Sequence, residues 1–341
     1  MPPHRLIRAR SLQVAAGVAV VVIAIGCSGI GSPAQTGAAA TTPLPPSPES
    51  PPPMRAFPVD NAPINIAARD GEIWAVGDGV LLRIDGATNA TTEFPLDIGA
   101  GSGSIGASTD ALWIADWLGD VVLRVDPANG AIVATIPVAA PVGVIATAEG
   151  IFVGSEGAAG VVRIDPDRNV VAMEYPQRGG FAYADGSLWF AQRDAGTVVR
   201  VQAATGQVQS RFEVPAEGRP GPDAGLGGCF VGGRSPDAWW TWCFTEHGDS
   251  VAIRIDPRTL AARGSVAVGG PIAGAVVVVD ELSWFILDRG IAAVDDRNEV
   301  VRAIDLGAGF AANNAVIAAD ALWVPDEEGR RVVRIELSAL R

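Results

Sequence analysis

Asp110-Ala111-Leu112-Trp113-Ile114-Ala115-Asp116-Trp117-Leu118-Gly119-Asp120-Val121-Val122-Leu123-Arg124-Val125-Asp126-Pro127 sets two β-prone runs on either side of a turn. Its opening signature, a turn, an apolar residue and an aromatic, returns along the chain. It appears as Asp70-Gly71-Glu72-Ile73-Trp74, Glu149-Gly150-Ile151-Phe152, Asp185-Gly186-Ser187-Leu188-Trp189, Asp237-Ala238-Trp239-Trp240, Asp280-Glu281-Leu282-Ser283-Trp284 and Asp320-Ala321-Leu322-Trp323. The aromatics are spaced by 39, 39, 37, 51, 44 and 39 residues. Its closing signature also recurs, as Arg83-Ile84-Asp85, Arg163-Ile164-Asp165, Arg200-Val201-Gln202, Arg254-Ile255-Asp256, a degenerate Ala293-Val294-Asp295, and Arg334-Ile335-Glu336. A fixed period of this length is the mark of a repeat architecture.

Each unit holds four short β-prone runs. In the third they are 142–147, 151–154, 160–164 and 170–175. Four strands per unit of about 40 residues is a propeller blade, which hides sheet edges by closing radially. The sequence therefore predicts an all-β fold, a seven-bladed β-propeller of four-stranded blades. Pro stops a ladder and Asp favours a turn, so the Arg-x-Asp-Pro segments read as blade architecture and not as catalytic pairs. The last unit supplies only three runs before the chain stops. Met54 to Val59, which matches the fourth strands at 92–96 and 173–176, is the expected donor of its outer strand. An N-terminal strand completing the last blade would lock the ring.

Composition narrows function. All 25 basic residues are Arg, which removes Schiff-base chemistry and Walker-type phosphate binding, since both need Lys. A formal charge of −13 argues against a nucleic-acid partner. Residues 1–26 carry Arg5, Arg8 and Arg10, no acid, and an apolar run from Leu12 to Gly26. Fifteen residues are short for a membrane span and suit a signal-peptide core. The closing Ala24-Ile25-Gly26-Cys27 resembles a bacterial lipobox, although Ala24 departs from the usual branched aliphatic residue. The expectation is a lipoprotein signal peptide over 1–26, lipidation at Cys27, and a chain held at the cell membrane on its extracytoplasmic side. An uncleaved membrane anchor is the alternative. Cleavage would leave 22 Arg against 38 acids, a net of −16. Residues 28–53 hold eight prolines and one charge, Glu49, so 27–53 reads as an extended tether and 54–341 as the propeller.

The repeats resemble those of the bacterial seven-bladed propellers of the virginiamycin B lyase-like and YncE-like (YVTN repeat) superfamily, over about residues 54–341. That resemblance implies a metal-assisted elimination that depends on His and Glu near the channel. The chain has His4, which would leave with the signal, and His247. Glu246 and His247 are then the catalytic candidates, as a single acid/base pair. Loops joining second and third strands carry carboxylates. Among them Asp116, Glu156 and Asp326 are candidate ligands for Ca²⁺ or Mg²⁺, which want converging oxygens. Otherwise no cofactor is implied. Gluconolactonase-like propellers, by comparison, place acidic and amide ligands on inner strands. The inner runs here, such as Ser104 to Ala107, Phe181 to Ala184 and Gly228 to Val231, contain no acid. No Gly-x-Ser-x-Gly elbow, zinc-type His/Cys cluster or dinucleotide fingerprint occurs in the chain.

Polar groups expected near the channel mouth are Asn61, Asn65, Arg178, Asn313 and Asn314, which suit hydrogen bonding better than proton transfer. Trp242 joins them as a binding candidate because the fifth unit is the longest, with a Gly/Pro-rich loop over 215–228 and aromatics at Trp239, Trp240, Trp242 and Phe244. Packing between blades is the other reading of those aromatics. Cys229 and Cys243 fall on neighbouring strands of that unit, outside the cytoplasm, and are expected to form a disulfide. The reading is a monomeric, surface-tethered binding or scaffold module for an unknown protein or small-molecule ligand. A metal-dependent lyase or lactonase-like enzyme is the alternative.

Overall fold

The computed structural model describes residues 46–60, 62–98, 103–157, 160–192, 196–214, 229–235, 238–244, 250–307, 310–312 and 314–341. They form seven four-stranded antiparallel sheets, and the helical content of the described residues is one 3-10 turn, Leu337–Ala339. The expected seven-bladed propeller is the observed fold. Blade 3 is β10 (Pro141–Thr147), β11 (Gly150–Ser155), β12 (Gly160–Asp165) and β13 (Val170–Tyr175) in that spatial order. Blade 7 is closed as expected: β1 (Met54–Pro58) pairs antiparallel with β28 (Arg331–Glu336), from Met54 opposite Ile335 to Pro58 opposite Arg331.

Second strands are buried along nearly their whole length, with partial exposure only at their ends, because a neighbouring blade covers each face. In blade 2, β7 (Leu112–Asp116) has no exposed residue. The outer strand β9 (Ile132–Pro137) alternates instead and is mostly in solvent. The core is thus divided into seven hydrophobic clusters, one in each cleft between adjacent blades. The cleft between blades 7 and 1 holds Phe57 on Trp323, ring centres 5.4 Å apart, so the donated strand fills the core as well as the ladder.

The two recurring signatures find their physical cause here. The register sets each third-strand Arg beside the blade aromatic, as in Arg124 opposite Trp113. Its guanidinium then lies over the indole: Arg83 at 5.8 Å from Trp74, Arg124 at 5.2 Å from Trp113, Arg200 at 5.2 Å from Trp189, Arg254 at 5.7 Å from Trp240 and Arg334 at 5.3 Å from Trp323. The Asp two residues on caps the following turn. Asp85 Oδ1 accepts from the Ala87 and Thr88 amides at 2.9 and 2.8 Å, and Asp165 Oδ1 from the Asp167 amide at 2.9 Å. At Asp256 the Arg258 amide, the Arg263 guanidinium and the Thr259 amide together hold the carboxyl down at about 2.

The end of the segment read as tether also has a place. Glu49 bridges in parallel to Ile304 on β25 (Val300–Asp305), the outer strand of blade 6. Its carboxylate meets Arg302 at 2.8 and 3.2 Å, and hydrogen bonding to that guanidinium holds Glu49 below the usual carboxylate range. No helix among the described residues is long and apolar enough to cross a membrane.

Candidate functional site

Strand direction sorts the loops. Connections between blades, and those joining second to third strands, share one face, here called the mouth. Turns joining first to second and third to fourth strands share the other. The expected mouth residues fall into three groups.

Asn65 and Asn314 are brought together. Asn65 is 1% exposed on β2 (Pro63–Arg69), the inner strand of blade 1. Its Oδ1 accepts from Asn314 Nδ2 at 3.0 Å and from the Ile66 amide at 2.8 Å. Asn314 Nδ2 lies 3.3 Å from the Ile66 carbonyl, and its Oδ1 accepts from the Ala315 amide at 2.8 Å. The pair clasps the inner strand of blade 1 to the segment that leads into the inner strand of blade 7. Arg178, in the connection between blades 3 and 4, donates to the Gly157 carbonyl at 3.1 Å and stays on the mouth.

The carboxylates are built into turns. Asp326 ends β27 (Ala321–Asp326) and is fully buried. Its Oδ1 accepts from the Ala311 and Gly329 amides at 3.1 and 3.0 Å, and its Oδ2 faces Arg331 Nε at 2.7 Å. Asp116 holds the equivalent place in blade 2 and accepts from the Gly119 amide at 3.1 Å. In both turns the Gly is required by close approach: a Cβ at Gly119 or Gly329 would collide with the capping carboxylate. Glu156 lies on a third blade. Among the described residues no group of three or more His, Cys, Asp or Glu gathers to hold a metal, so this donor set does not fit Ca²⁺ or Mg²⁺.

Trp242 lies inside the molecule. Along β19 (Ala238–Phe244), Trp240 and Trp242 point into the cleft with blade 6, and Trp239 points toward blade 4. Trp242 is 2% exposed and stacks on Phe230 at 6.0 Å, while Trp239 meets Trp189 at 5.2 Å. Strand alternation therefore makes these aromatics interblade packing, and Trp242 is withdrawn as a contact residue for a ligand. Cys229 and Cys243 are direct cross-strand partners between β18 (Cys229–Ser235) and β19. Asn61, Asn313, Glu246, His247, Cys27 and the 215–228 loop lie outside the described residues.

Sequence reading passed over three features. One is the reach of the blade Arg residues: Arg124 Nη1 donates to Pro166 O at 2.7 Å and Asn169 Oδ1 at 3.0 Å, stapling blade 2 to blade 3. A second is Tyr183, facing Phe152 at 5.4 Å, whose hydroxyl is pushed up by burial and by its hydrogen bond with Glu149. The third is an exposed Trp117-Leu118 tip on the mouth. Only Trp117-Leu118 carried a visible signal, a large apolar pair where blades 1, 3, 6 and 7 have an acid.

No family model matches the sequence, and no curated protein matches it either. Solved structures do. Virginiamycin B lyase from Staphylococcus aureus is 17% identical, with a TM-score of 0.65 over 83% of this chain and 98% of that one. A streptogramin B lyase is 16% identical, with a TM-score of 0.65 over 82% and 96%. The Pan2 WD40 domain of Neurospora crassa is 12% identical, with a TM-score of 0.61 over 80% and 89%. At these identities the likeness is one of fold, and that fold carries more than one function.

Proposed function

We propose that this chain is a non-catalytic binding or scaffold module, a β-propeller tethered outside the cytoplasm that engages a partner through its mouth face. One observation carries the reading. Among the described residues, four polar groups of the mouth are tied into the ring itself: Asn65 with Asn314, Asp116 with the Gly119 amide, and Asp326 with two amides and Arg331. A site built for proton transfer keeps such groups aimed at a substrate. Loops on a rigid scaffold remain, and these suit recognition. Tethering rests on the Cys27 lipobox, and Cys27→Ser should move the protein from the membrane fraction into the soluble one. Retention in the membrane would favour an uncleaved anchor. The binding reading predicts partner capture that Arg178→Ala weakens without lowering the melting temperature. Capture by neither form would count against it.

A Cys229–Cys243 disulfide belongs to the same reading. Directly opposed residues on antiparallel strands have Cα atoms about 4.5–5.5 Å apart, within disulfide range. Intact mass should rise by about 2 Da on reduction, and an unchanged mass would leave two thiols.

The second reading is a lyase, favoured by fold likeness to two enzymes of that name. It would rely on Glu246 and His247. Consumption of virginiamycin B in the presence of Mg²⁺, lost in Glu246→Gln and His247→Ala, would establish it.

A further inference from the structure

The turn between β7 and β8 (Val121–Val125) in blade 2 presents Trp117 and Leu118 to solvent, 38% and 56% exposed. The corresponding turns of blades 1, 3, 6 and 7 place Asp78, Glu156, Asp288 and Glu327 where blade 2 places Trp117. A single exposed apolar residue is ordinary, but a paired Trp and Leu at one tip is not. The tip is also pinned. Asp116 Oδ1 accepts from the Gly119 amide at 3.1 Å on one side. On the other, Asp120 sits at φ 54°, its Oδ1 accepts from the Ala140 amide at 2.7 Å, and its carbonyl from the Val138 amide at 3.0 Å. A rigid turn that holds two large apolar side chains outward loses little entropy on docking.

The surroundings select the partner. Across the described mouth loops of blades 1 to 3, Asp60, Asp78, Asp97, Asp120 and Glu156 stand against one cation, Arg178. An apolar centre within a charged rim is the anatomy of a protein interface, and Trp is the residue most often found at its energetic centre. An anionic membrane surface would be repelled by the same acids.

We infer that the Trp117-Leu118 tip is the docking point for a protein whose contact segment is an apolar pocket rimmed by Arg or Lys. This rests on the binding reading above and gives it a location. The test uses the full chain in its own membranes, with a photo-cross-linking amino acid at position 118 and, as control, at Val170, an exposed residue on the outer strand of blade 3. The expected result is one protein adduct from position 118 and none from 170. Its cross-linked peptide should be rich in Arg or Lys. Trp117→Asp should reduce the adduct on the order of 30-fold at unchanged melting temperature, and Asp97→Arg should reduce it by a smaller factor. No adduct at 118, equal adducts at both positions, a lipid adduct, an acidic peptide, or indifference to Trp117→Asp would each overturn the inference. Partner capture that survives Trp117→Asp but falls with Arg178→Ala would sink this docking point and leave the binding reading standing.

Discussion

Blades 6 and 7 solve one problem with residues from different strands. In blade 7 the third-strand Arg334 covers Trp323 and reaches blade 1, donating to Gly86 O at 3.0 Å and Asn89 Oδ1 at 2.7 Å. Blade 6 has Ala293 at the equivalent place, and the register sets Ala293 beside Arg302 of the outer strand. Arg302 leans across, lies 5.5 Å over Trp284, and donates to Leu340 O at 2.9 Å in the C-terminal turn of blade 7. It also holds Glu49. In both blades a guanidinium lies over the indole and reaches the next blade, and either neighbouring strand can supply it.

The comparison breaks most visibly in blade 7. Removing residues 54–59 deletes the outer strand and the Phe57–Trp323 contact, and should lower the melting temperature by on the order of 10 °C or prevent folding. An unchanged transition would mean that the ring does not depend on this strand. Next in size is Arg302→Ala, which loses the ring contact, the C-terminal carbonyls and Glu49 together, about 2 kcal/mol. Arg334→Ala should cost about as much, since its contacts are of the same kind. A loss at Arg334 several times that at Arg302 would show that the two are not equivalent. Ala293→Arg in the Arg302→Ala background should regain part of the loss, because the third-strand Arg can cover Trp284 but is not expected to hold Glu49.

The smallest effect separates the blades by pH. Arg302 holds the folded-state Glu49 carboxyl below its unfolded value of 4.5, so its contribution is complete above that pH. It is lost as pH falls through the lower, folded value. Glu49→Gln should flatten this acid-side slope, and Arg334→Ala should leave it in place. Identical slopes in wild type and Glu49→Gln would remove Glu49 from the account.

Fold was legible because blade number, strand order and closure all follow from periodic signals: the aromatic, the Arg-x-Asp turn, and a spare strand at Met54. The Arg302 substitution was not, because compensation across a sheet changes sequence position while preserving position in space. Glu49 read as the single charge of a tether because pairing with an edge strand leaves no pattern in the donor. At the mouth, Asn65 and Asn314 read as hydrogen-bonding groups, but one sequence could not tell an amide that waits for a ligand from one spent on its neighbour. Trp242 misled for a similar reason: aromatic density reads alike on a surface and in a cleft, and the alternation along β19 decides between them.

The most direct test of a mouth that binds without metal chemistry is metal analysis on protein purified without chelator, with melting followed in Ca²⁺, Mg²⁺ or EDTA. A domain with no stoichiometric ion and one melting temperature in all three is the predicted result. A stoichiometric divalent ion whose removal lowers the melting temperature would contradict it and turn attention to Glu246 and His247.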